Sequence, residues 1–126
     1  MPATYEVDLA LRLVRTREWG VLTDEDLRQL YEKIRSDPAF DPTFRQLCDL
    51  RAVTQITTSV DTLRSLAQTQ VFSPGVRRAF VVGRAVDFGL ARLFQAYSEV
   101  EGQTVEVFRE MNDAEAWLGL DPERRT

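Results

Sequence analysis

The chain has no histidine among its 126 residues. That absence removes the usual general base, the usual zinc ligand and every Ser–His or Cys–His nucleophile pair. Only one cysteine is present, Cys48, so no internal disulfide can form, which suits a reducing compartment. Nothing approaches the roughly 18 uninterrupted apolar residues of a membrane-spanning helix, and Met1-Pro2-Ala3-Thr4-Tyr5-Glu6 lacks the basic and apolar regions of a signal peptide. No membrane span and a cytoplasmic location are expected. Lysine is nearly missing as well: of 16 basic residues, only Lys33 is not arginine. The basic residues are scattered and outnumbered by 20 acidic ones, for a net charge of -4. A nucleic-acid partner, which would need a clustered basic footprint, is not expected.

What is present describes an ordinary folded chain. Apolar residues make up 44% and charged residues 29%, far from the composition of disorder. The length fits one domain over residues 1–126, able to bury a core without disulfides or metal.

Period-two alternation of Tyr5, Val7, Leu9, Leu11 and Leu13 with polar residues predicts a first strand. A turn around Arg15 to Arg17 and a second strand over 18–22 complete the expected hairpin. Thr23 ahead of Asp24, Glu25 and Asp26 predicts a helix start, and Leu27, Leu30, Tyr31 and Ile34 follow at helical spacing until Pro38. Residues 46–50 predict a short buried strand, and Thr57-Thr58-Ser59 the cap of a second helix with Val60, Leu63, Ala67 and Val71 inward. The apolar run Ala79 to Gly83 predicts a central strand. A third helix over roughly 85–99 is predicted to pack Val86, Leu90, Leu93, Phe94 and Tyr97, with Gly102 closing it. A last strand over 104–109 precedes a capping box of Asn112 and Glu115. The fold class expected is α/β, a single mixed sheet of about five strands with crossover helices.

Chemistry is scarce. Asp24, Glu25 and Asp26 form the densest acidic group, but in the first turn of a helix they meet the dipole. Cys48 reads as a buried strand residue with no base beside it, and Asp49 as an acceptor of nearby backbone N–H groups. The stretch Gly83 to Gly89 has no Lys-Ser/Thr and no dinucleotide fingerprint. No catalytic residue, cofactor or metal is expected, and the chain reads as not an enzyme.

Several segments resemble the SpoIIAA-like group, small bacterial relatives of STAS domains (sulfate transporter and anti-sigma factor antagonist) that are also compared with the Sec14 or CRAL-TRIO fold. They are Gly20-Val21-Leu22-Thr23 leading into Glu25-Asp26-Leu27, Cys48-Asp49-Leu50-Arg51 with Val53, Phe88-Gly89-Leu90-Ala91-Arg92, and Val107-Phe108-Arg109 before Ala114 to Leu118. The resemblance implies a binding or regulatory module of STAS type acting through protein–protein contact. Its alternative is a Sec14-like carrier of a small apolar ligand or lipid. In the antagonists an Asp-Ser-Ser-Gly stretch at a helix start carries the phosphorylated serine, and the matching hydroxyl residues here are Thr58 and Ser59. The aspartate and glycine are replaced by Thr57 and Val60, so helix capping is the expected role of these hydroxyls. The interaction surface expected for a protein partner or a homodimer is the start of the third helix. There Phe88 falls off the packing face among Arg84 and Arg92.

Overall fold

A computed structural model of the chain describes residues 2–120. The elements run β1 (Ala3–Asp8), β2 (Leu13–Leu22), α1 (Asp24–Ser36), β3 (Arg45–Ile56), α2 (Val60–Gln68), β4 (Arg77–Val82), α3 (Ala85–Val100), β5 (Thr104–Phe108) and α4 (Met111–Trp117). The strands form one mixed sheet in the order β1-β2-β3-β4-β5, with β1 antiparallel to β2 and the other pairs parallel. Each helix therefore starts at the carboxyl edge of the parallel strands, the edge at which open α/β sheets present their sites.

The hairpin turn differs from the expected one. It spans residues 9–12, not Arg15 to Arg17, because the Asp8 carboxylate accepts the Leu11 N–H at 2.9 Å and Arg12 takes a positive φ of 52°. Leu9, apolar and in phase with the strand, is 64% exposed in that turn. Thr23 caps α1 as expected, in a capping box with Asp26. The last helix begins earlier than expected, at Met111, with Glu110 in place of Asn112 as its N-cap.

β3 is 12 residues long where a strand over 46–50 was expected, and it pairs with a 10-residue β2. Two register shifts, between Arg17 and Trp19 and between Gly20 and Val21, absorb the difference as bulges on β3. The first bulge turns the Arg51 carbonyl towards the end of β4. A Cβ on Gly83 would meet that oxygen at 2.8 Å, so the close approach requires glycine.

Two apolar layers flank the sheet. On one face Val14, Leu22, Cys48, Leu50, Phe80, Val105 and Val107 pack with α1, α2 and α3; on the other, Leu13, Leu47, Ala79 and Val81 pack with α4. α4 packs on β4 and β5. The outward side of β1 to β3 holds an open depression of about 410 Å³ whose lining includes Glu6, Arg15, Arg17 and Asp49.

The inner layer is not purely apolar. Arg78, on β4, is 2% exposed and donates to Gln46 Oε1 at 2.9 Å, to the Tyr31 hydroxyl at 2.9 Å and to Gln103 Oε1 at 3.4 Å. Its guanidinium carbon lies 4.4 Å from the Phe72 ring centroid, with Phe80, Phe94 and Tyr31 all within 5.9 Å. Ring faces and three oxygens thus stand in for the water that this cation has lost. Arg78→Ala leaves the three acceptors without their donor and opens a cavity. It is expected to cost about 3 kcal/mol or more of unfolding free energy in urea denaturation. A loss below about 1 kcal/mol would show that the cage contributes little to stability.

Candidate functional site

Two consequences of the register define the site. The parallel pairing sets Thr16 of β2, Cys48 of β3 and Phe80 of β4 in one row across the inner face, with Gln46 and Arg78 two residues earlier on their strands. Glu18 follows Thr16 by two on β2 and so points to the same face, beside the first bulge. Above these rows the helices leave a cleft of about 70 Å³. Leu22 and Ile56 line it from the strand ends, Leu27 and Leu63 from the first turns of α1 and α2, and Asp87 and Leu90 from the start of α3.

At its floor Glu18 is 1% exposed. Among the described residues its carboxyl has one hydrogen-bond partner, Cys48, whose thiol sulfur lies 3.2 Å from Oε2. Burial, opposed by the Cys48 hydrogen bond and aided by the nearby Asp49 charge, pushes the Glu18 carboxyl up to about 8, so at neutral pH it holds its proton. Burial and the neighbouring Glu18 also push the Cys48 thiol well above its ordinary value. Cys48 is therefore the buried thiol expected from its strand neighbours, although what it touches is a carboxyl group.

Asp87, on the first turn of α3, is fully buried and paired with Arg84, whose Nε lies 3.1 Å from Oδ2. Of the face expected for α3, Phe94 is buried and Leu90, Leu93 and Tyr97 pack against the inner core, whereas Val86 is 59% exposed; Asp87, Gln95 and Ser98 are buried as well. Phe88 is half-buried against the inner core, with the Arg92 guanidinium 5.9 Å from its ring centroid. Of the three residues expected to form a contact surface, Arg92 is exposed, Phe88 is partly covered and Arg84 is committed to Asp87.

Ser59 is the N-cap of α2: its hydroxyl oxygen accepts the Thr62 N–H at 3.1 Å. The Ser59 N–H and the Thr62 hydroxyl donate to the Asp24 carboxylate at 3.0 and 2.9 Å, which ties the starts of α1 and α2 together. Thr58 is buried at 8% exposure, and its hydroxyl has no hydrogen-bond partner among the described residues. Asp49 accepts the Arg51 N–H at 3.0 Å and also binds the Arg51 guanidinium, both within β3. Among the described residues no helix is long and apolar enough to cross a membrane.

No family model matches the chain, and no curated protein matches it. Among solved structures it is similar to a protein from the DUF3478 family with a SpoIIAA-like fold from Shewanella loihica PV-4. That protein is 18% identical with a TM-score of 0.62, over 92% of this chain and 93% of the other. The chain has the SpoIIAA-like fold, the architecture that its segments resemble.

Glu18 and Asp87 were not singled out by the sequence reading. The available signal for Glu18 was that Val14, Thr16 and Glu18 share one face of a strand, two of them polar.

The raised Glu18 value sets a pH dependence of known sign. Between its ordinary value of 4.5 and about 8 the folded protein keeps a proton that the unfolded chain releases. Its contribution is complete below about 4.5 and is lost as the pH rises through about 8, at up to roughly 1.4 kcal/mol per pH unit. Unfolding free energies from urea denaturation are expected to fall between pH 5 and pH 8 in the parent protein and to change much less in Glu18→Gln. Parallel profiles for the two proteins would contradict the buried acid. In the native protein, Cys48 is expected to react with a thiol reagent far more slowly than in urea, and equal rates would place it at the surface.

Proposed function

We propose that the chain is a cytoplasmic, non-enzymatic binding module of STAS type that works by protein–protein contact through the surface formed by α2 and α3. One observation carries this reading. The two helices pack against each other and both start at the carboxyl edge of the sheet, so the segment with Thr58 and Ser59 and the segment with Arg84, Phe88 and Arg92 belong to one end of the molecule. Arg92 over Phe88 supplies the arginine and aromatic area that interface centres favour, and Val86 adds exposed apolar area on another side of the same helix start. The contact does not need a phosphorylation switch, since the Ser59 hydroxyl is engaged as a helix cap and Thr58 is buried.

The lipid-carrier alternative is less well supported. The cleft of about 70 Å³ is several-fold smaller than the roughly 300–1,000 Å³ of pockets that enclose larger organic ligands, and a lipid chain exceeds it.

The test is a double substitution, Val86→Asp with Arg92→Glu, on exposed positions that leave the core untouched. Stability is expected to stay within about 0.5 kcal/mol of the parent. Sedimentation of the purified protein would reveal a homodimer, and cross-linking in source cells would reveal a foreign partner. Whichever complex forms is expected to be lost in the variant. A parent protein that forms neither complex, or a variant that retains it, would defeat the reading.

A further inference from the structure

The cleft over β2, β3 and β4 combines a closed polar floor with apolar walls, and the fold alone does not explain the floor. Thr16, Gln46, Arg78 and Gln103 satisfy one another, and Gln103 continues the chain to the Phe72 carbonyl at 3.0 Å. Glu18 stands outside this network, and among the described residues Arg78 pairs with no carboxylate. A protonated carboxyl offers an O–H donor and a carbonyl acceptor. The Cys48 S–H occupies the acceptor side at Oε2. The donor side has no acceptor among the described residues, in a site where an unmade hydrogen bond is costly. Around it stand Leu22, Leu27, Ile56, Leu63 and Leu90.

We propose that this cleft is a binding site for a small uncharged molecule that presents a carbonyl oxygen on a short apolar body, the oxygen accepting the proton of Glu18 and the body lying against the leucine walls. An anion fits poorly, because it would lose its hydration to face a carboxyl group and the buried Asp87. A cation would require Glu18 to ionise where burial opposes it. The site goes beyond the partner contact proposed above and stands without it.

The charged and titratable groups around Glu18 are few. Cys48 and Asp49 come from β3, Tyr31 from α1, Arg78 from β4, and Asp87, held by Arg84, from α3. Burial raises both the Cys48 thiol and the Tyr31 phenol, which keeps these two neutral while Glu18 loses its proton.

The experiment titrates butanone into the isotopically labelled full chain and follows backbone amide resonances at pH 6 and pH 9, with butanoate and butylammonium as charged analogues of similar length. Butanone is expected to shift the amides of Leu50, Leu63 and Ala91 saturably at pH 6. Its affinity is expected to be about tenfold lower at pH 9, where about a tenth of Glu18 keeps its proton. Glu18→Gln retains a donor and is expected to bind butanone equally at both pH values, whereas Glu18→Leu abolishes binding. If the leucine variant does not fold, the loss of pH dependence in Glu18→Gln decides. The proposal is overturned if butanone causes no saturable shift at pH 6, if the parent binds it equally at both pH values, or if butylammonium binds more tightly than butanone.

Discussion

The buried guanidinium of Arg78 is the constraint to which the rest of the molecule answers. A cation at 2% exposure, with no carboxylate beside it among the described residues, must recover its lost hydration from neutral groups. Each such group comes from a different part of the chain: Gln46 from β3, Tyr31 from α1, Gln103 from the turn before β5, and Phe72 from the segment after α2. Two of them are themselves fixed, Gln46 by the Thr16 hydroxyl at 3.2 Å and Gln103 by the Phe72 carbonyl. One side chain thereby relates three strands, a helix and two connections. A one-residue slip of β4 would turn Arg78 to the other face and break every one of these bonds.

The Arg78 network also sets the character of the cleft. Because its hydrogen bonds are taken up by neutral oxygens, Arg78 is not the counter-ion of Glu18, and Glu18 lies two inner-face rows nearer the carboxyl edge among leucines. A carboxyl group in such surroundings lowers its cost by keeping its proton, and the price is a stability that declines towards alkaline pH. A leucine or methionine of similar volume would avoid that cost. An acid buried in a cleft, with its value displaced by desolvation, is a functional-site candidate on physical grounds.

The order of elements was legible in the sequence because period-two and period-3.6 segments alternate and their caps are strong. Thr23 with Asp26, and Ser59 with Thr62, behave as their spacing predicts. The misread parts share one cause, that local pattern and burial disagree. Leu9 continues a strand alternation but sits in the turn that Asp8 organises. On α3 the expected Leu90, Leu93, Phe94 and Tyr97 do pack on the core, but Val86 faces water and polar Asp87, Gln95 and Ser98 are buried beside them, which an apolar helical wheel cannot indicate. The second half of β3 is mostly exposed, with Val53 its one buried residue, and it pairs with β2 alone, so its strand character rests on that partner. Glu18 and Arg78 were invisible for the same reason: a two-letter pattern of apolar and polar residues assigns charges to the surface.

The proposed contact surface and the cleft meet in α2. Its outer end carries Ser59, bonded to Asp24 of α1, while its inner side places Leu63 and Leu66 over the cleft. With 9 residues it is shorter than the roughly 12–15 at which an isolated helix holds itself in water, so its position depends on neighbours. Those neighbours are the Asp24 carboxylate, α3 along its side, and whatever fills the space beneath Leu63 and Leu66. A molecule seated on Glu18 would replace the last of these, while a partner seated on α2 and α3 would act on the outer side of the same short helix. Because binding free energies are reciprocal, any preference that cleft occupancy gives to one placement of α2 is returned as a preference in partner affinity. The coupling can be no larger than the difference in α2 placement that each ligand favours.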